Sequence, residues 1–282
     1  MTGSMTVNRY LNEIFQTAWH DRDPFREVDK LEGEIYRAVA SRRTLRFEHQ
    51  GKNYFAKVHK GVGWLEIVKN LVLFRKPVLG AGDEWQAIGR LEALGVETMT
   101  VAAYGLKGVN PARMSSFIIT EALENTVSLE DFCRSWPENP PDRKLKLALI
   151  ERVASVSRTL HENGVNHRDY YICHFLLARD SILGENNYSD LILHLIDLHR
   201  SQIRSRTPFR WRVKDISGLL FSAMEIGLTS RDLARFMRIY SGKSLRSTLQ
   251  VDSRFWASVL KRANTMYLED KQELPACVIR WT

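Results

Sequence analysis

Two carboxylates occupy positions from which a side chain can take part in chemistry. Asp169 is the last residue of a His-Arg-Asp triplet that follows a long amphipathic segment ending at Gly164 and precedes a short apolar segment. Asp197 comes at the end of the next apolar segment, Leu191–Ile196. Carboxylates can accept a proton from a hydroxyl group or bind a divalent cation, so these two residues are the first candidates for a site.

The triplet and its surroundings resemble the catalytic loop of the protein-kinase-like fold. In that fold the triplet Asp orients an attacking hydroxyl and accepts its proton, and a second Asp on the next hairpin binds magnesium. The resemblance implies these roles for Asp169 and Asp197. The alternative is a polar turn at a helix end in which Asp169 is an ordinary loop acid. The preceding helix and the downstream strand ending in Asp197 favour the kinase-like interpretation.

The same fold needs a strand lysine for the phosphates of ATP and a helix glutamate that holds this lysine. Lys57 lies in the alternating segment 54–58 and is the candidate, with a solvated edge lysine as the alternative. Glu84 falls inside the apolar stripe of a helix predicted over Asp83–Leu94. Because a buried carboxylate needs a cationic partner, we expect Glu84 to pair with Lys57.

Two features depart from the pattern of protein kinases. The first two strands are not joined by a GxGxxG loop, so backbone N–H groups must cover the phosphates, helped by Ser41, Arg42 or Arg43; the alternative is that these arginines are solvated. His174 stands five residues after Asp169, where an Asn metal ligand is usual. Imidazole is a poor magnesium ligand beside oxygen donors, so we expect one firmly bound metal at Asp197, with His174 as a second ligand, a hydrogen-bond partner or a structural residue.

Six cations follow Asp197 within 15 residues, and no acid stands before Asp215. The run comprises Arg200, Arg204, Arg206, Arg210, Arg212 and Lys214. It lies where a kinase-like fold receives its acceptor, which predicts an anionic acceptor bound by arginines, Arg200, Arg204, Arg210 and Arg212 among them. A solvated basic loop is the alternative. We expect Asp215 near a helix start, bracing the catalytic loop in a structural role.

Composition excludes several classes of protein. The chain has 282 residues, a formal net charge of +8, 44% hydrophobic and 26% charged residues, which is globular and neither disordered nor collagen-like. Cys133, Cys173 and Cys277 form no CxxC motif and indicate free thiols in a reducing cytosol. No apolar run approaches the roughly 20 residues that span a bilayer, so we expect a soluble protein.

The pattern along the chain predicts an α+β, bilobal fold. The first part is rich in strands, predicted at Tyr36–Val39, Leu45–His49, Tyr54–His59, Val96–Tyr104 and Ser116–Thr120, with helices at Leu65–Phe74 and Asp83–Leu94. The second part is mostly helical, with helices predicted from Arg143 to Gly164 and at Lys214–Gly227, Ser230–Tyr240 and Ser253–Asp270. We expect an N-lobe over residues 1–123, preceded by a short extension, a C-lobe over 124–282, and the active site in the cleft between them.

Several segments together resemble the lipopolysaccharide core heptose(I) kinases of Gram-negative bacteria. The resemblance covers most of the chain. The segments are Ala-Lys-Val-His-Lys-Gly-Val-Gly-Trp (56–64), Glu-Trp-Gln-Ala-Ile (84–88), Gly-Val-Asn-His-Arg-Asp-Tyr-Tyr-Ile-Cys-His-Phe-Leu-Leu (164–177), Ile-Asp-Leu-His-Arg (196–200) and Arg-Trp-Arg-Val-Lys-Asp (210–215). His174 matches the pattern of this family.

The resemblance implies transfer of the ATP γ-phosphate to heptose I of a lipid A–Kdo–heptose acceptor, with Mg²⁺, at the inner face of the inner membrane. It implies that Glu121 and Leu123 bind adenine through their backbone, and that Lys57, held by Glu84, binds the phosphates. A cytoplasmic location with peripheral contact to the anionic leaflet follows, as does acyl carrier protein as a partner. No nucleic acid is expected.

Other functions stay open at this stage. The nearest is a Kdo kinase of the same superfamily. A pseudokinase or adaptor that binds anionic membrane or nucleic acid is opposed by the joint presence of Lys57, Glu84, Asp169 and Asp197. A phosphotransferase for cationic small molecules would need an acidic acceptor pocket, and a protein kinase would need the missing Gly-rich loop and an Ala-Pro-Glu segment.

Overall fold

The computed structural model describes residues 7–39, 41–61, 63–64, 80–183, 188 and 190–273. The chain divides into two compact units, the first comprising Met1–Arg90 with Met99–Leu123, the second Leu91–Thr98 with Glu124–Thr282. The first part is rich in strands and the second is mostly helical, which confirms the predicted α+β class.

The first unit is built on a six-stranded antiparallel sheet in the order β1-β5-β6-β4-β3-β2. Its strands are β1 (Val7–Leu11), β2 (Glu34–Val39), β3 (Arg42–His49), β4 (Lys52–His59), β5 (Val101–Lys107) and β6 (Ser115–Glu121). Its helices are α1 (Glu13–Ala18), α2 (Pro24–Asp29) and α3 (Gly82–Ala93), of which α3 continues into the second unit.

The N-terminal residues are part of this sheet. The sequence predicted only a short extension before the lobe, whereas β1 pairs with Ala103–Lys107 of β5. Asn12 caps α1 by accepting a hydrogen bond from the amide of Phe15. The ring of Phe15 is fully buried against Phe47 and Tyr54, so α1 closes one face of the sheet.

The second unit is mostly helical, with two small antiparallel sheets in the orders β10-β9-β7 and β11-β8. The strands are β7 (Thr126–Ser128), β8 (Val165–Asn166), β9 (Phe175–Ala178), β10 (Leu193–Leu195) and β11 (Gln202–Ile203). The helices are α4 (Leu129–Cys133), α5 (Arg143–Glu162), α6 (Phe209–Ser222), α7 (Ser230–Ser241), α8 (Leu245–Val251) and α9 (Ser253–Lys271). Among the described residues, no helix combines the length and the apolar character needed to cross a membrane.

Most predicted elements are present, with four exceptions. The predicted helix over Leu65–Phe74 lies outside the described residues. The strand predicted from Val96 begins at Val101, and α8 was not predicted. Helix α6 begins at Phe209, after Pro208, five residues before the predicted start at Lys214. The basic residues 210–214 therefore lie on a helix and not in a loop.

Gly164 generates a prediction about the loop that follows α5. Its φ of +77° disfavours any L side chain, and a Cβ at this position would overlap the carbonyl oxygen of Arg204. Gly51 has a similar φ of +76° with no atom within 4 Å of a built Cβ, and it serves as the control. We expect Gly51→Ala to lower the free energy of unfolding by about 1–2 kcal/mol and Gly164→Ala by several kcal/mol, in urea titrations followed by circular dichroism. Equal losses would contradict the close approach at Gly164.

Candidate active site

Lys57 and Glu84 form a close ion pair in the first unit. Lys57 lies on β4 between Thr44 of β3 and Ile118 of β6, so its backbone is fixed on both sides by the ladder. Its Nζ donates to Glu84 Oε1 at 2.6 Å, and Glu84 is fully buried in the first turn of α3. The pairing expected from the apolar stripe of this helix is present. It holds the ammonium group in one position.

Asp215 organises the loop that carries the His-Arg-Asp triplet. It is buried within α6, and its two carboxylate oxygens accept hydrogen bonds from the backbone amides of His167 and Arg168, at 2.7 and 2.8 Å. His161 Nε2 lies 3.4 Å from Asp215 Oδ2. The predicted bracing role matches this geometry, although Asp215 lies inside the helix and not near its start.

This brace holds Arg168 in a strained conformation. Its φ is +78°, which costs a non-glycine residue about 1–3 kcal/mol. Two amide hydrogen bonds to one buried carboxylate offset this cost, because charge-assisted bonds are among the strongest. The turn at Arg168 directs the next residue, Asp169, out of the loop.

Arg200 binds the carboxylate of Asp169. Its Nη1 lies 2.8 Å from Oδ1 and 2.9 Å from Oδ2, so one nitrogen bridges both oxygens. The sequence pattern predicted Arg200 as a ligand of the acceptor, whereas in the structure this arginine pairs with the candidate base. A carboxylate has about four lone-pair positions, so each oxygen keeps one for a hydroxyl group.

Asp197 has a donor set that fits magnesium. It adopts a left-handed conformation with φ +62°, and its Oδ1 accepts from His199 Nδ1 at 2.6 Å. His174 Nδ1 donates to the backbone oxygen of Asp169 at 2.7 Å, so in the neutral ring Nε2 keeps its lone pair, 3.6 Å from Asp197 Oδ2. A carboxylate oxygen and an imidazole nitrogen that face each other in this way can both contact one bound metal ion.

The described residues contain no group of three His, Cys, Asp or Glu side chains that could hold a metal ion by themselves. Magnesium in nucleotide sites is usually held by one or two carboxylates together with substrate phosphates and water. Asp197 therefore fits as a magnesium ligand, while His174 supplies the less suitable nitrogen.

The residues of the basic run that lie on α6 point to two different faces of this helix. Arg210 and Lys214 are one turn apart and both lie by the ring of Trp211, at 5.1 and 5.6 Å from its centroid. Arg212 points elsewhere and lies 5.3 Å from the ring of Phe255 on α9. Arg212 was predicted to bind the acceptor together with Arg210, but the helical period of 3.6 residues separates the two.

Two further cations, from residues outside α6, also lie near the ring of Trp211. The guanidinium groups of Arg168 and Arg204 lie 5.2 and 5.9 Å from its ring centroid. Arg204 also donates to the side-chain oxygens of Asn166 and Gln202. Arg168 and Trp211 were not among the predicted site residues, because a positive φ in a non-glycine residue and an aromatic ring shared by several cations depend on tertiary structure.

The pKa values of these cations show their crowding. Burial lowers the pKa of Arg168, and the charges of Arg200 and Arg204 add to this. The pKa of Lys214 is lowered by burial and by Arg200 and Arg168, against the opposing effect of Asp169. Burial and the charge of Arg210 lower the pKa of Arg204. The four cations around Trp211 thus repel one another.

The other predicted residues lie as follows. Glu121 ends β6, and its amide donates to the carbonyl of Thr100 at 2.9 Å, while Leu123 follows two residues later. Arg43, one candidate for covering the phosphates, donates from Nη2 to the carbonyls of Val28 and Asp29 at the end of α2. The arginine is thereby engaged with α2.

A largely apolar cavity of about 110 Å³ lies in the second unit, among helices α4 to α7 and α9. Its walls include Leu149, Val153, Ile172, Ala223 and Trp256. Asp232 is the charged residue in its wall and forms a salt bridge of 2.8 Å with Lys146. An apolar lining of this kind suits a hydrocarbon group.

Comparison with known proteins decides the family. A family model described as lipopolysaccharide kinase (Kdo/WaaP) family matches residues 26–240. The chain belongs to this family. The lipopolysaccharide core heptose(I) kinase WaaP of Pseudomonas aeruginosa is 50% identical over 262 residues, which are 93% of this chain and 96% of that protein.

A second relative and a solved structure support the same assignment to the Kdo/WaaP family. The heptose(I) kinase WaaP of Escherichia coli strain K12 is 52% identical over 242 residues, covering 86% of this chain and 90% of that protein. A solved structure of WaaP in complex with acyl carrier protein superposes with a TM-score of 0.80 at 46% identity, covering 92% and 99% of the two chains. These matches confirm the predicted kinase-like fold and the resemblance to heptose(I) kinases.

The Asp215 brace leads to a prediction for this Kdo/WaaP family chain. Asp215→Asn keeps the size of the side chain but turns one acceptor oxygen into an N–H donor facing a backbone amide. We expect the free energy of unfolding to fall by about 1–3 kcal/mol, the cost of leaving a buried donor unsatisfied. Kinase turnover should fall at least tenfold at a temperature where the variant is still folded. Unchanged turnover in the folded variant would contradict a positioning role for Asp215.

Proposed function

We propose that this chain is an ATP-dependent kinase that phosphorylates heptose I of the lipopolysaccharide inner core. The observation that carries the proposal is Asp169 on a loop fixed by Asp215, in a chain about half identical to two heptose(I) kinases over most of its length. Such a carboxylate can orient a sugar hydroxyl for attack on a phosphoryl group.

In the proposed reaction the heptose hydroxyl donates its proton to Asp169 as its oxygen bonds to the γ-phosphorus. The bond between the γ-phosphorus and the bridging oxygen breaks, and ADP leaves. Arg200 fixes the plane of the Asp169 carboxylate through its bridging Nη1 and leaves one lone pair on each oxygen for the hydroxyl. Positioning is the main contribution that a protein makes to phosphoryl transfer.

The remaining predicted residues serve the nucleotide and the acceptor in this proposal. Lys57, held by Glu84, contacts the ATP phosphates, and backbone groups at Glu121 and Leu123 contact adenine. Magnesium, when bound by Asp197 with His174 nearby, neutralises charge on the phosphates. Arg204 and Arg210 face the acidic inner core, and the basic chain meets the anionic inner leaflet from the cytoplasmic side.

The proposal is tested by product analysis. The purified protein, ATP and Mg²⁺ are incubated with unphosphorylated heptose-containing core glycolipid, and the product is fragmented in a mass spectrometer. We expect one added phosphate on heptose I. Asp169→Asn should reduce the rate at least a hundredfold, since loss of a general base costs 10²–10⁴-fold. Phosphate found only on Kdo, or only on protein, would overturn the proposal.

We also propose that acyl carrier protein is a partner of this chain and that its acyl chain enters the apolar cavity of the second unit. The solved relative is in complex with acyl carrier protein, which supports the class of partner. The cavity supports the acyl chain as the inserted part, since its walls are almost wholly apolar. Each methylene that the cavity buries contributes about 0.8 kcal/mol to binding.

We therefore expect this chain to bind acylated acyl carrier protein more tightly than the unacylated carrier. We expect myristoylated acyl carrier protein to raise the Tm of this chain by several degrees and the unacylated carrier to raise it little, because only a ligand of the native state stabilises it. Ala223→Phe, which fills part of the cavity, should remove the difference. The variant's Tm without carrier reports its folding. Equal effects of both carriers on the wild-type chain would refute insertion of the acyl chain.

A further inference from the structure

Four cations surround Trp211, and no salt bridge joins Arg168, Arg204, Arg210 or Lys214 to a carboxylate among the described residues. Their charged groups all lie 5.1–5.9 Å from the centroid of this one ring. Four cations this close together repel one another, and a bound group of opposite charge would relieve that repulsion.

Arg168 provides the strongest indication of a built site. It is only 7% exposed, and its Nε is a buried donor with no hydrogen-bond acceptor among the described residues. The residue is also held at φ +78°, a conformation fixed by Asp215 and not by its own preference. A buried, strained and unpaired guanidinium costs free energy, and a bound oxyanion would recover much of that cost.

The elements that carry the cluster are fixed independently of any ligand. Arg210 and Lys214 lie on one face of α6, and Arg204 is held by Asn166 and Gln202. Arg168 immediately precedes Asp169. The cluster is therefore preorganised next to the residue proposed as the base, which reduces the entropic cost of binding.

We propose that Arg168, Arg204, Arg210 and Lys214, arranged around Trp211, bind one oxyanion of the acceptor, a carboxylate or phosphate group that neighbours the hydroxyl to be phosphorylated. This inference rests on the proposed function, because the acceptor is taken to be the acidic inner core. The cluster differs from the basic run read from the sequence. It adds Arg168, and it omits Arg206, Arg200, which binds Asp169, and Arg212, which packs on Phe255.

Two variants and one control test the cluster without disturbing the Asp215 brace. Arg210→Ala removes an exposed guanidinium, and Lys214→Met keeps the aliphatic stem of the lysine while removing its charge. Arg246→Ala on α8 removes an equally exposed charge outside the cluster. Binding is measured by titrating the full chain, without ATP, with unphosphorylated lipid A–Kdo–heptose glycolipid in detergent micelles. The acceptor KM and the ATP KM are measured in parallel.

We expect Arg210→Ala and Lys214→Met each to weaken glycolipid binding and raise the acceptor KM about tenfold, with the ATP KM within twofold of wild type. Arg246→Ala should behave as wild type. Two modified glycolipids identify the oxyanion, one with its Kdo carboxylates reduced to alcohols and one with its lipid A phosphates removed. The modification that removes the recognised group should weaken wild-type binding and make the variants indistinguishable from wild type.

The result also separates this inference from the proposed function. Tenfold weaker binding by the variants, with phosphate absent from heptose in the wild-type reaction, would support the oxyanion site and reject the proposed acceptor hydroxyl. Heptose phosphorylation with unchanged binding and acceptor KM in both variants would overturn the oxyanion site alone. The oxyanion site would also be overturned if both variants bound each modified glycolipid more weakly than the wild-type chain by the same factor. The cations would then contribute to binding without recognising either anionic group.

Discussion

The buried carboxylate of Asp215 is the constraint on which the site in the second unit depends. Its two oxygens accept the amide hydrogens of His167 and Arg168, and thereby fix the backbone where a non-glycine residue takes a positive φ. Two functional groups follow from this single turn. Arg168 is directed towards Trp211, and Asp169 becomes available to Arg200 and, in the proposed reaction, to a hydroxyl group.

The cations of this chain have separate tasks despite their similar chemistry. Lys57 is held by Glu84, Arg200 by Asp169, and Arg204 by neutral amide side chains. Arg168, Arg210 and Lys214 instead lie around Trp211 and form no salt bridge with a carboxylate among the described residues. The net charge of +8 therefore reflects in part a local concentration of cations beside the candidate base, and this location is consistent with an acidic acceptor.

Local patterns predicted a large part of the fold and of the site. The alternation of apolar and polar residues predicted β3 and β4. The apolar stripe of α3 identified Glu84 as the buried partner of Lys57. The helix and glycine before the His-Arg-Asp triplet indicated the position of Asp169. The N-terminal strand β1 was missed because its role depends on pairing with β5, almost a hundred residues away. The role of the basic run changed because α6 starts at Phe209, which turns neighbours in sequence into residues on different faces. The strain at Arg168 and the pairing of Arg200 with Asp169 arise from tertiary contacts that spacing alone does not contain.

The exchange rates of the His167 and Arg168 amide hydrogens test the central role of Asp215 most directly. They can be measured by NMR in the wild-type chain and in Asp215→Asn. The account predicts that both amides are strongly protected in the wild-type chain, since each donates to a buried carboxylate, and that both lose protection in the variant while amides in the middle of α5 keep theirs. Rapid exchange of these two amides in the wild-type chain, or unchanged protection in Asp215→Asn, would contradict the account.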